Sequence, residues 1–165
     1  MPDMNDLEPD VILHGEQLFA AGIDLIIECA TREILIFDRD MSSGGYSSPA
    51  RADALQSFLA RDRQNKLMVL LHDTDFLAHR CPRLMRLLQL FSHAVTIHKT
   101  GEDAHSAQDS FILADGLHYL HRFHADHARF RYGLDNAAAV QPLKDKFDQI
   151  LGTSTHTISA TTLGL

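Results

Sequence analysis

Residues 108–122 read QDSFILADGLHYLHR, and the fold of the chain turns on them. Two runs of strand formers, FIL and LHYL, flank Asp115-Gly116. Both central positions of a tight hairpin turn need positive φ, and Asp-Gly supplies it at little steric cost. A β-hairpin is therefore expected here. Upstream the pattern is different: ILIF at 34–37, LMVLL at 67–71 and AVTIH at 94–98 are short, almost wholly apolar runs, as expected of strands covered on both faces.

Helical spacing separates those runs. Phe19, Ile23, Ile26 and Ala30 recur along 16–30 with acids on the other side. Ser48 before Pro49 predicts an N-cap with proline in the first turn, and Leu55, Phe58 and Leu59 supply the stripe that follows. Leu84, Leu87, Leu88 and Phe91 mark a third helix over 82–91, outside which Arg80, Arg83 and Arg86 form a solvated basic ridge. Strand, helix, strand, helix, strand with short connections implies right-handed crossovers and a parallel core.

Downstream of the hairpin, 128–132 suit one more strand. A last helix runs through Leu143, Phe147 and Leu151, and Pro142 predicts that it starts at Gln141 or kinks there if it starts near Asn136. The Ser/Thr-rich end is expected to fray unless Ile158 and Leu163 dock. The predicted fold is α/β: a mixed, mostly parallel sheet with helices on both faces and a C-terminal antiparallel hairpin. Three segments are expected, an acidic stretch at 1–14, one α/β domain at 15–152 and a tail at 153–165.

Composition narrows the function classes. The chain has 165 residues, 45% hydrophobic and 22% charged, which suits one soluble domain. Residues 1–40 hold 10 acids and 2 bases (net −8), whereas 41–165 hold 12 acids and 13 bases (net +1). Broad nucleic-acid binding needs a basic stripe, so it is not expected. Cys29 and Cys81 stand far apart and outside any CxxC spacing, which predicts reduced thiols and neither a disulfide framework nor a zinc site. The first ten residues are acidic where a secretory signal needs positive charge, and no apolar run reaches the ~20 residues of a membrane span. A cytoplasmic protein is expected.

In order of elements the chain resembles one half of the phospholipase D-like superfamily. The phrases ILIFDRDM, KLMVLLHD, DSFILAD and PLKDKFDQIL resemble, more closely, an uncharacterised proteobacterial family of degenerate domains of that kind, sometimes attached to acetyltransferase domains. The resemblance covers roughly 15–152. It implies a motif of His, any residue, Lys, four residues and Asp, in which the His attacks phosphorus and the Lys holds phosphate oxygens. Setting that Asp on Asp115 puts Gln108 at the His position and Ser110 at the Lys position. The expected downstream Gly-Ser falls on Arg122 and Phe123, and the Asn on Ala125. A neutral amide cannot act as nucleophile, and comparable losses cost ~10⁶ in rate. The resemblance thus implies no catalytic residue and no cofactor, with Arg122, His121 and His124 as candidate anion contacts and Asp115 as a turn residue. Since such sites form between two halves, it also implies a homodimer, and it allows an acetyltransferase-type partner.

His118, His121, His124 and His127 recur every three residues. On a strand that step alternates faces, and His118 and His124 would stand ~20 Å apart at about 3.3 Å per residue. No metal site is expected from them.

The exit of the first long strand, Asp38-Arg39-Asp40, resembles the DxD opening of haloacid dehalogenase-like phosphotransferases, which need two carboxylates beside Mg²⁺. Three readings follow. The first is a degenerate phospholipase D-like domain serving as an interaction or ligand-binding module. The second is a metal-independent phosphodiesterase or nuclease using displaced residues such as His105, His121 or His124. The third is a Mg²⁺-dependent phosphatase at Asp38 and Asp40.

Overall fold

The computed structural model describes residues 6–154 and 156–158. In chain order the strands and helices are β1 (Leu13–His14), α1 (Glu16–Cys29), β2 (Glu33–Asp38), α2 (Pro49–Arg61), β3 (Lys66–Leu71), α3 (Asp75–Arg80), α4 (Pro82–Leu90), β4 (Val95–Lys99), β5 (Ser110–Ala114), β6 (His118–His124), β7 (His127–Gly133), α5 (Ala137–Thr153) and β8 (His156–Ile158). A 3-10 turn, Glu102–Ser106, lies between β4 and β5.

All eight strands form one sheet in the order β1-β7-β6-β5-β2-β3-β4-β8. β2, β3 and β4 are parallel, joined through α2 and through α3–α4. Every other junction is antiparallel. Among the described residues antiparallel junctions outnumber parallel ones five to two: β5 enters beside β2 antiparallel, β6 and β7 continue the meander, and β1 and β8 each add an edge strand. Those two strands also carry the sheet past residues 15–152 at both ends. Ile158 lies in β8, opposite Ile97, so this part of the tail is paired; Leu163 falls outside the described residues.

Apolar residues divide the molecule into two layers, one on each face. Ile23, Ile26, Leu55, Phe58, Leu84 and Leu88 pack the α1–α4 side against Ile34, Ile36, Val69 and Ile97. Phe37, Leu70, Phe111, Tyr119, Phe147 and Ile150 fill the α5 side. Period-two alternation sends neighbours such as Ile36 and Phe37 to opposite faces. Gly22 lets α1 lie close to the sheet, since a Cβ there would stand 2.5 Å from Leu120 Cδ1.

The local signals act as expected at several points. The Ser48 hydroxyl accepts the Arg51 N–H at 3.1 Å, with Pro49 in the first turn of α2. At the hairpin Asp115 and Gly116 have φ of 58° and 69°, and the Leu117 N–H donates to the Ala114 carbonyl at 3.0 Å. Cys81-Pro82 splits the third helical stretch into α3 and α4, and Arg80, Arg83 and Arg86 are exposed. α5 takes the earlier of its two predicted starts: Asn136 caps it by accepting the Ala139 N–H, and Pro142 sits inside it. Cys81 is buried and Cys29 half-buried, and they are not bonded to each other.

Candidate functional site

Because β5 runs antiparallel to β2, its amino end meets the carboxyl ends of the parallel strands. The register pairs Phe37 with Phe111 and Ser110 with Arg122. Asp38, His72, Thr100, Gln108, Ser110, His121, Arg122 and His124 therefore gather at one end of the sheet. That is where open α/β sheets place ligands. Asp115 lies at the other end of β5.

On the α1 side this end is closed. Ser110 is buried and lines a cavity of about 10 Å³ with Asp38, Tyr46, Phe19 and Leu120. Space of that size is near the minimum for a single water molecule. Gln108 is exposed and turned into its own loop, its Nε2 donating to the His105 carbonyl at 2.6 Å. Arg122, expected as an anion contact, is only 2% exposed and its donors are already in use. It makes two 2.9 Å bonds to the Glu16 carboxylate, donates to the carbonyls of His124 and Ala125, and lies 4.7 Å from the centre of the Phe19 ring. Four of the five guanidinium donors are thus bonded, which offsets much of the cost of burying the charge. The correction to the sequence reading is physical: an interior Arg takes its anion from α1, through Glu16.

The Asp38–Asp40 pair is similarly committed to local structure. Asp38 accepts the N–H groups of Arg39 and Met41 at 2.8 and 3.0 Å, and Asp40 accepts the Ser42 N–H and hydroxyl. Burial pushes the Asp38 carboxyl up to about 6, with Asp40 adding to the rise, while the two N–H groups and Arg122 oppose it. Both carboxylates are thus engaged by the turn that follows β2.

A polar cluster that sequence reasoning missed stands on the α5 side. The Asp109 carboxylate bonds His121 Nε2 at 2.8 Å and Lys146 Nζ at 2.6 Å. Burial would raise its pKa, but the bonds from His121 and Lys146 outweigh that and hold it below the usual carboxylate range. An ionised carboxylate only accepts, so His121 carries its proton on Nε2. Nearby, His72 Nε2 bonds the Ala107 carbonyl at 2.8 Å, so its Nδ1 accepts the Thr100 hydroxyl at 2.6 Å. Burial holds the His72 imidazole below its ordinary pKa, against the pull of the Ala107 carbonyl. The His105 ring stands 4.9 Å from that of His72.

The four-histidine series does not converge. His118 Nδ1 accepts the Asp135 N–H, His124 Nδ1 accepts the Asp126 N–H, and the His124 and His127 rings are 5.3 Å apart. Among the described residues no three His, Cys, Asp or Glu side chains come together as a metal-holding group.

Asp115, at the turn, ties the hairpin to the sheet. Its carboxylate accepts the N–H groups of Thr31, Arg32 and Glu33 at 2.8, 2.8 and 2.9 Å, and the Thr31 hydroxyl at 3.0 Å. No sequence signal pointed to these partners, 82 to 84 residues away.

Three solved structures share this architecture. Nuc of Salmonella typhimurium, a phospholipase D family member, superposes with a TM-score of 0.63 at 8% identity, over 90% of this chain and 98% of that one. NucT of Helicobacter pylori gives 0.58 at 10% identity, over 88% and 96%. TrmBL2, an archaeal chromatin protein described with a novel mode of DNA binding, gives 0.63 at 12% identity over 90% of this chain. The chain spans 54% of TrmBL2, about half its length. The fold is phospholipase D-like. No curated protein matches the sequence, and no helix among the described residues is long and apolar enough to cross a membrane. A family model matches residues 14–161, and the chain belongs to that family, described as Domain of unknown function (DUF7931).

Proposed function

We propose that this domain is a catalytically retired phospholipase D-like half that serves as an interaction or ligand-binding module, working as a symmetric pair in the cytoplasm. What supports this reading is the resemblance, which sets Gln108 and Ser110 at the positions of the nucleophile and the phosphate-holding lysine. Ser110 faces a space too small for a phosphoester, and the nearest buried cation, Arg122, is neutralised by Glu16. An acetyltransferase-type domain is one partner such a module would serve.

The test is hydrolysis of bis(p-nitrophenyl) phosphate and of single-stranded DNA by the purified full chain, with and without EDTA. No turnover above the blank is expected. Chelator-resistant hydrolysis that disappears in a His121→Ala variant would refute the proposal.

One observation favours a second reading, a metal-independent phosphodiesterase with a displaced histidine. The Asp109–His121 pair has the arrangement of an imidazole oriented by a carboxylate, which general-base catalysis uses. Under that reading Asp109→Asn would lower turnover as His121→Ala does, and the same assay separates the two.

A further inference from the structure

At the other end of the sheet, α5 leaves a corner uncovered. The helix starts beside the hairpin turn, where the Asn136 N–H donates to the Leu117 carbonyl, and ends over β4, where the Ser154 hydroxyl lies 3.3 Å from His98 Nδ1. It thus crosses the sheet diagonally, and the first residues of β2 and β3 have no helix above them on that face. A groove of about 540 Å³ results. Its floor is Leu35, Met68, Leu113 and Val140, and three cations, Arg32, Lys66 and Lys144, stand around it.

The formal charges around it balance, Arg32, Lys66 and Lys144 against Glu33, Asp115 and Asp148, but they are not equally engaged. Asp115 also borders the groove, but its carboxylate is committed to the N–H groups of residues 31–33. Lys144 is shared with Asp148. The Lys66 ammonium meets only a carbonyl, that of His93, and the Arg32 guanidinium has no ion-pair partner among the described residues. Glu33 also lines the groove, and the ionised Asp115 faces the same space. Two cations that pair with no carboxylate among the described residues thus stand over an apolar floor. The volume lies within the usual range of small-molecule sites, roughly 300–1,000 Å³.

We propose that this groove binds an organic anion with an apolar body, its carboxylate or phosphate attracted by Arg32 and Lys66 and its body lying on Met68, Leu113 and Val140. The groove is at the opposite end of the sheet from Ser110, so the proposal stands whether or not that end is catalytically retired.

The test is calorimetric titration of the full chain with sodium octanoate below its micelle concentration, with octanol as the neutral control. The variants are Arg32→Glu/Lys66→Glu and, for the floor, Met68→Glu. Arg32 and Lys66 are exposed, so the first variant keeps its core, and thermal melts check that both variants fold. Saturable octanoate binding is expected, weakened about tenfold or more by either variant and by loss of the ligand's charge. Four results would overturn the proposal: no saturable binding at millimolar octanoate, equal affinity for octanol, binding indifferent to both variants, or a dimer that Met68→Glu dissociates. The last would mean that a second copy covers the corner.

Discussion

Replacing Asp115 with alanine separates a structural turn residue from a catalytic remnant. Three backbone N–H groups and the Thr31 hydroxyl would lose a charged acceptor. Hydrogen bonds to charged groups contribute ~1.5–3 kcal/mol each, but Asp115 is half-exposed and the freed donors reach water, so roughly 0.5–1 kcal/mol per N–H is appropriate. Alanine at φ of 58° adds about 1 kcal/mol of backbone strain. The expected loss is about 3 kcal/mol, which for a domain of this size lowers Tm by roughly 6–12 °C. Asp115→Asn keeps one acceptor oxygen and tolerates the left-handed conformation, so it should lose only about 1 kcal/mol.

Acidification provides a second check. The N–H donors outweigh burial and hold the Asp115 carboxyl below its ordinary range. Its contribution is then present above the unfolded pKa of about 3.9 and disappears as pH falls through the lower folded value. The wild type should lose more stability on acidification than the alanine variant does. Urea melts from neutral to acidic pH measure both effects. Alanine and asparagine variants both within about 0.5 kcal/mol of wild type would refute the structural assignment.

Arg122→Met should destabilise the fold by about 2–3 kcal/mol, because the His124 and Ala125 carbonyls lose their donor while Glu16, more exposed, regains water; a thermal or urea melt reads it. Asp38→Asn should act in the opposite direction at neutral pH. With its folded pKa raised to about 6, wild-type stability from this group is complete below the unfolded value and declines as pH rises through the folded one. The asparagine variant should lack that decline and gain about 1–2 kcal/mol at pH ~7–8, a shift of one unit being about 1.4 kcal/mol and part being offset by a lost acceptor. A stability difference between wild type and Asp38→Asn that stays constant from the unfolded value of about 4 to about 6 would count against the buried-acid assignment.

Local order was legible because it depends on local chemistry. Ser48-Pro49 announces a helix start, Asp115-Gly116 a turn, and ILIF, LMVLL and AVTIH covered strands, each within a few residues. The setting of Gln108 and Ser110 on the motif's His and Lys positions rests on the resemblance, as residue identity at a fixed spacing. The Asp109–His121–Lys146 cluster was not legible: its members come from the approach to β5, from β6 and from α5, and no spacing links them. Arg122 was misjudged because an arginine in a strand reads as exposed and basic until the partner that neutralises it, Glu16, is seen across 106 residues. The extent of the sheet was likewise underestimated, since two- and three-residue edge strands carry too little pattern to register.

Sequence alone determined the succession of elements and the hairpin turn, since these follow from neighbours along the chain. Only the tertiary structure decided that Arg122 is neutralised, that Asp38 is buried, that Asp109 orients His121, and that α5 crosses the sheet at a slant and leaves open a corner bordered by Arg32 and Lys66. Those outcomes depend on which distant groups share a low-dielectric interior or a common face, and chain order carries no record of that.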